Sequence, residues 1–251
     1  MIIDSYRSIG ETPWVNVTIR DIIEDMDDAG VDISVVAPMG RLMAVDYVEG
    51  NSLMIDVQKR YPDRIIGFAT VNPWAGSDIV REEIKRALGS GLRGIAIHPA
   101  VQGVAAHSPL MHPVVEAAIE HDVPLYIHSG TPSFGLPLQI TFLAEAFPDA
   151  KIIMGHMGGA DFYVDMQSSN AHTPNLYMET SLTCHVAYIE QGLRVANKHH
   201  MLFGSDFPFS STKAEILKVN QAYISDAEKN KIFGGNAAIL FGIEGAVQHD
   251  N

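Results

Sequence analysis

The chain has 251 residues, 47% of them hydrophobic, and a net charge of −13 from 30 acidic against 17 basic residues. That length can bury a large core, and the acidic excess excludes a nucleic-acid backbone or an anionic membrane as the main partner. Cys184 is the single cysteine, so an intrachain disulfide and a cysteine metal cluster are both excluded.

Short apolar runs alternate with amphipathic stretches along the chain. MIID (1–4) opens it, and TIRDIIEDMDDAG follows with Ile19, Ile22, Ile23 and Met26 at helical spacing between a Thr18 cap and a Gly30 stop. ISVVAP (33–38), a helical stretch over 51–60 and IIGFATV (65–71) come next. SDIVREEIKRALGSG then repeats the helical plan behind Ser77. GIAIHP (94–99), PLYIHSG (124–130), KIIMGHM (151–157), NLYMETS (175–181) and MLFGSDF (201–207) complete the strand candidates. Helical patterns at 110–121, 138–147, 185–198 and 214–240 lie between or after them. Most of the strands are apolar throughout, as strands buried on both faces are.

Eight such units in this length predict a single-domain α/β protein, a (β/α)8 TIM barrel over residues 1–243, with 244–251 as a C-terminal tail. An open doubly wound sheet is the rival, but DSYRSIGETP is not the glycine-rich first turn that fold uses. The N-terminus shows no basic stretch followed by an apolar run, and no segment is apolar enough to span a bilayer. A cytoplasmic protein acting on a small molecule, without nucleic acid or membrane, is expected.

Barrel enzymes carry their chemistry at the C-terminal ends of the strands. Those ends hold Asp4, Tyr6, Ser8, Asn72, His98, His128, His156, Glu179 and Asp206. Three histidines on three consecutive strands, with an aspartate on the last, suit metal ligation or proton transfer. His199 and His200 close a helix and read as structural; His107, His121, His172 and His249 lie in loops, helices or tail. In GHMGG the glycines after His156 let a substrate or neighbouring loop approach the backbone. Pro208 ends the strand soon after Asp206.

MIID, YPDRIIGFATVNP, GLRGIAIHP, PLYIHSG, GHMGG, NLYMETS, LFGSDFPF and GNAAILFGI, in that order, cover nearly the whole chain. Together they resemble the amidohydrolase superfamily, in the branch of aminocarboxymuconate-semialdehyde decarboxylase and related metal-dependent hydrolases. The resemblance implies a metal ligand at His128, a carboxylate at Asp206 that contacts metal and handles a proton, and a catalytic group at His156. It places His98 where relatives often carry a histidine before proline, as a third metal ligand or a substrate contact. It also implies a homodimer, the common state among relatives.

The resemblance breaks at the first strand, where the family's His-X-His metal pair is replaced by Tyr6 and Ser8. His128 and Asp206 alone would hold one divalent ion, zinc or manganese, weakly. A metal-free mechanism is chemically open, with Tyr6, Ser8 and His98 binding substrate. Arg7 and Arg41 are candidate partners for a substrate carboxylate, although each reads first as a solvated surface arginine. Trp14, Met39, Trp74, Phe134 and Phe162 are the apolar candidates for a pocket wall.

Three functions compete. The leading expectation is a hydrolase that opens a lactone, ester or amide with water activated at Asp206, aided by His128 and His156. The second is a lyase, a non-oxidative decarboxylase of an aromatic or unsaturated acid. The third is a pseudoenzyme that keeps the barrel as a binding protein.

Overall fold

In the computed structural model, which describes residues 1–159, 162, 165, 173–195 and 200–243, the strand candidates form a closed barrel. The strands are β1 (Ile3–Glu11), β2 (Asn16–Val17), β3 (Ile33–Pro38), β4 (Ile65–Gly67) and β5 (Ile95–Ile97). They continue as β6 (Leu125–Ile127), β7 (Ile152–Met154), β8 (Leu176–Glu179) and β9 (Met201–Leu202). All pair parallel except β2, which folds back on β1 as a hairpin. Two ladders, β2-β1-β3-β4 and β5-β6-β7-β8-β9, make up the wall. Ala69 bridges the first seam: its N–H donates to Gly94 O at 2.8 Å and its carbonyl accepts from Ala96 N at 2.7 Å. The other seam is closed by Ser5 N to Phe203 O at 2.8 Å, Asp206 N to Tyr6 O at 3.1 Å and Ser8 N to Phe207 O at 2.9 Å. The expected eight-stranded TIM barrel is therefore the fold.

One element departs from expectation in a way that matters for function. The first strand does not open into a loop after Asp4 but runs on to Glu11, with a register shift between Asp4 and Arg7. Its pairing with β3 continues to Pro38, which keeps Tyr6, Arg7 and Ser8 in the barrel wall.

The helices are α1 (Ile19–Ala29), α2 (Arg41–Ala44), α3 (Tyr47–Arg60), α4 (Ser77–Gly89), α5 (Pro99–Gln102) and α6 (His112–Glu120). They continue as α7 (Pro137–Ala146), α8 (Val186–Val195), α9 (Thr212–Gln221), α10 (Asp226–Asn230) and α11 (Asn236–Phe241). Thr18 and Asp21 form a capping box on α1, and Gly30 ends it at φ 73°. Gly76 rather than Ser77 takes the cap position of α4. The short helices α2 and α5 occupy stretches read as loops, since four-residue turns leave no periodic pattern. The C-terminal helical stretch is broken into three helices and a π turn over Lys231–Gly235. The tail 244–251 and residues His172, His199 and His249 lie outside the described residues.

Ile3, Val35, Ile66, Phe68, Ala96, Ile153 and Leu202 fill the barrel, and Phe241 of α11 closes it from below with its ring edge-on to Phe68. Arg7 corrects the surface reading, since it is fully buried. It points outward between the wall and the helices, where Nε meets Asp4 Oδ2 at 2.7 Å and Nη1 meets Asp25 Oδ2 at 2.6 Å. Nη2 donates to Thr212 Oγ1 at 3.2 Å. Asp4 in turn accepts from Ser205 N at 2.9 Å, so the cluster ties the start of β1 to the last strand. Arg7→Ala strands the buried Asp4 carboxylate and should cost about 3–5 kcal/mol, measured by denaturant unfolding. A loss below about 1 kcal/mol would refute this structural role. Arg41, by contrast, is an exposed arginine paired with Asp46, as the sequence suggested. Among the described residues no helix is long and apolar enough to cross a membrane.

Candidate active site

The upper end of the barrel brings together His98, His128, His156 and Asp206 from the ends of β5, β6, β7 and β9. His128, His156 and Asp206 each offer one donor atom, and these atoms all lie within 4.8 Å of one another. His156 and Asp206 sit in the left-handed region at φ 55° and 53°. Such a backbone costs about 1–3 kcal/mol per non-glycine residue and persists where the surroundings fix the side chain. The GHMGG glycines serve the fold at this point: a Cβ on Gly159 would run into Gly130 Cα, so the loops after β6 and β7 touch through bare backbone.

The imidazoles form an ordered group. His98 and His128 stack with ring centroids 3.7 Å apart and planes 14° from parallel. His128 Nδ1 and His156 Nε2 are 2.9 Å apart, and His156 Nδ1 lies 2.7 Å from Ser181 Oγ. Burial and the neighbouring rings hold His128 well below the usual imidazole range. Burial lowers His156 to about 3 and His98 to about 4. All three rings are thus neutral near pH 7, as metal ligands and hydrogen-bond acceptors must be.

Asp206 is buried, and its Oδ1 has no hydrogen-bond partner among the described residues. Burial first, and then Glu179, Asp4 and Glu215, push its carboxyl well above the usual range. An orphaned oxygen beside neutral imidazoles needs a proton, a cation or a substrate atom to complete it.

The group whose donor atoms converge is His128, His156 and Asp206, without His98. A ring nitrogen ligates in its own ring plane, and the His98 and His128 rings stack 14° from parallel with centroids 3.7 Å apart. One ion cannot lie in both planes. His98 is instead the N-cap of α5, its Nδ1 accepting from Val101 N at 3.4 Å. His156 takes its place in the candidate set, and His128, His156 and Asp206 fit a small divalent cation with open positions.

The first strand supplies no further ligand. Tyr6 and Ser8 are both buried. The Tyr6 ring stacks on Tyr126 with centroids 3.8 Å apart and planes 3° from parallel. Burial and Asp206 raise the Tyr6 phenol above its ordinary range, and the Ser8 hydroxyl works against that rise. Tyr6 and Ser8 therefore form an uncharged pair beneath the mouth.

Below this level lies Glu179, recorded in the sequence as a strand end but given no role. Oε2 accepts from Ser181 Oγ at 2.8 Å, from Tyr126 OH at 3.2 Å and from His156 N at 3.2 Å. Oε1 accepts from Ser181 N at 2.5 Å. Gly204 faces this carboxylate, and a Cβ there would collide with Glu179 Oε1. Burial raises the Glu179 carboxyl from 4.5 to about 7, against the opposing hydrogen bonds from Ser181 and His156. Between pH 4.5 and 7 the folded protein holds a proton that the unfolded chain releases, so this group's stabilisation is present below pH 4.5 and fades as pH rises through 7. The stability difference between wild type and Glu179→Gln should therefore move against wild type by about 3 kcal/mol from pH 4.5 to pH 8. Urea unfolding at both pH values reads this directly, and a constant difference would contradict it.

The apolar wall assembles only in part. Met39 packs into the core with Ile9 and Val36, while Trp14 and Trp74 are exposed. Trp74 Nε1 donates to Gly103 O at 3.2 Å, and Asn72 caps the turn before it. Phe134 and Phe162 are partly exposed. His200 stacks on Tyr177 with centroids 4.1 Å apart, in keeping with a structural reading.

The family model described as Amidohydrolase matches residues 13–243. A gamma-resorcylate decarboxylase of Polaromonas sp. is 23% identical, over 96% of this chain and 94% of the relative. Another gamma-resorcylate decarboxylase, of Rhodococcus jostii, is 23% identical over 81% and 79%. A crystal structure of 2,6-dihydroxybenzoate decarboxylase with 2,6-dihydroxybenzoate superposes with a TM-score of 0.78 at 18% identity, covering 96% and 99% of the two chains. The dihydroxybenzoic acid decarboxylase of Polaromonas sp. JS666, with manganese and 2-nitroresorcinol bound, gives 0.77 at 18% identity, covering 96% of each chain. The structural likenesses show the shared fold.

Proposed function

The chain belongs to the amidohydrolase family, and on that premise we propose that it is a non-oxidative decarboxylase of an aromatic carboxylic acid bearing an adjacent hydroxyl group. This reverses the order of the sequence expectation, which put hydrolysis first. The observation that carries it is Asp206 Oδ1, a buried carboxyl oxygen with no partner among the described residues, set against the imidazole cluster on a chain whose curated relatives are decarboxylases. Those relatives also weigh against a barrel kept only for binding.

Decarboxylation breaks the bond between ring carbon and carboxylate, releases carbon dioxide and leaves the electron pair on the ring carbon, which takes up one proton. Asp206 would deliver it, since its Oδ1 has no partner among the described residues and lies away from bulk water. His98 and His128 stack into a flat, neutral surface against which the acid can lie. Tyr6 and Ser8 form the floor. A divalent cation held by His128, His156 and Asp206 would supply positive charge to the carboxylate and the neighbouring oxygen of the substrate.

The test is a product assay with hydroxybenzoates against simple lactones and esters, with and without manganese. Carbon dioxide and the matching phenol are expected from an ortho-hydroxybenzoate. A new carboxylate from a lactone or ester, without carbon dioxide, would restore hydrolysis.

A further inference from the structure

Four side chains join the barrel interior to its mouth by consecutive hydrogen bonds: Glu179 Oε2 to Ser181 Oγ at 2.8 Å, Ser181 Oγ to His156 Nδ1 at 2.7 Å, and His156 Nε2 to His128 Nδ1 at 2.9 Å. Only Glu179 in this chain has its direction fixed by groups that cannot reverse. The backbone N–H groups of His156 and Ser181 both point at its carboxylate. Above about pH 7 the Glu179 carboxyl is ionised and only accepts, so there the Ser181 hydroxyl gives its single proton to Glu179. Towards His156 that hydroxyl can then only accept, which puts the His156 proton on Nδ1. A neutral ring protonated on Nδ1 has a bare Nε2, so the proton in the last bond belongs to His128 Nδ1. His128 Nε2 is left bare.

We propose that Glu179 and Ser181 are positioning residues that fix the tautomers of His156 and His128, so that His128 presents the Nε2 lone pair to the reaction site. Three consequences follow for the site. His156 acts through His128, because both of its nitrogens are already engaged. In the metal-free protein His128 Nε2 and Asp206 Oδ1 are the candidate donors with bare atoms, and a cation would reach His156 Nε2 only by displacing the proton between the two rings. The buried Ser181, with no titrating group of its own, becomes necessary for the chemistry of a ring it does not touch.

The value of this tautomer to catalysis rests on the decarboxylase reading. The tautomers themselves do not, and they can be read with no substrate present. The experiment is long-range ¹H–¹⁵N NMR of the full-length, ¹⁵N-histidine-labelled protein at pH 8, free of paramagnetic ions. Both His128 and His156 are expected to carry their protons on Nδ1. In Ser181→Ala His156 Nδ1 loses that acceptor and keeps only Glu179 Oε2 at 3.6 Å, beyond hydrogen-bond reach, so both rings should shift to the Nε2–H form in more than half of the molecules. Ser181→Cys, which can still accept weakly, should lie between the two. A wild-type spectrum with His128 protonated on Nε2, or as imidazolium, would overturn the proposal. So would a Ser181→Ala protein of native backbone spectrum with both tautomers unchanged. If Ser181→Ala fails to fold, the wild-type spectrum still decides.

Discussion

Asp206→Asn should lower carbon dioxide release by about a thousandfold or more while leaving the protein folded and at least as stable. The two halves of that expectation come from the same geometry. Asp206 Oδ1 accepts no hydrogen bond from the described residues, and burial works against its ionised form. An isosteric amide therefore removes the proton-bearing group without removing a contact, and it relieves the burial of an ionisable group. Turnover measured beside the thermal midpoint separates the halves. Activity within about tenfold of wild type would remove Asp206 from the proton step. A fall in midpoint of more than about 5 °C would show that the carboxylate holds the barrel together instead.

The second large effect concerns the cation. Tyr6→His with Ser8→His places two imidazoles on the first strand at the barrel mouth. They would join His128, His156 and Asp206 across the mouth and raise the candidate ligands from three to five. Manganese or zinc affinity should tighten about a hundredfold or more, read by calorimetric titration of the chelator-treated protein. Loss of the Tyr6–Tyr126 stack and the Tyr6–Ser8 contact opposes this gain, but a stack is worth only about 1 kcal/mol. A wild-type protein that already binds as tightly as the double variant would show that Tyr6 or Ser8 ligates as it stands.

The sequence carried the barrel well because the strands are apolar runs separated by amphipathic helices, and eight repeats leave few folds to choose from. Thr18 and Gly30 even placed both ends of α1. The first strand was misjudged past Asp4 because Tyr6, Arg7 and Ser8 are polar, and only the pairing with β3 shows that they stay in the wall. Arg7 was misread for a related reason. Asp4 lies three residues before it, but its other partners Asp25 and Thr212 are 18 and 205 residues away, and their approach is what buries the pair.

The site was legible as a set of residue types but not as an arrangement. His128, His156 and Asp206 converge as the strand ends predicted. The exclusion of His98 depends on a ring stack that spacing cannot reveal. Ser181 was missed altogether, since a serine two residues past a strand end is common, and its weight comes only from lying between Glu179 and His156. The bare tautomer of His128 follows from hydrogen bonds reaching across three strands.

The most direct measurement of the central claim is turnover of an ortho-hydroxybenzoate, 2,6-dihydroxybenzoate first, in D2O with manganese present. The account predicts one carbon dioxide per substrate consumed and one deuterium at the vacated ring carbon, with both lost in Asp206→Asn. No carbon dioxide from any ortho-hydroxybenzoate, together with ring opening of a lactone that depends on Asp206, would contradict it.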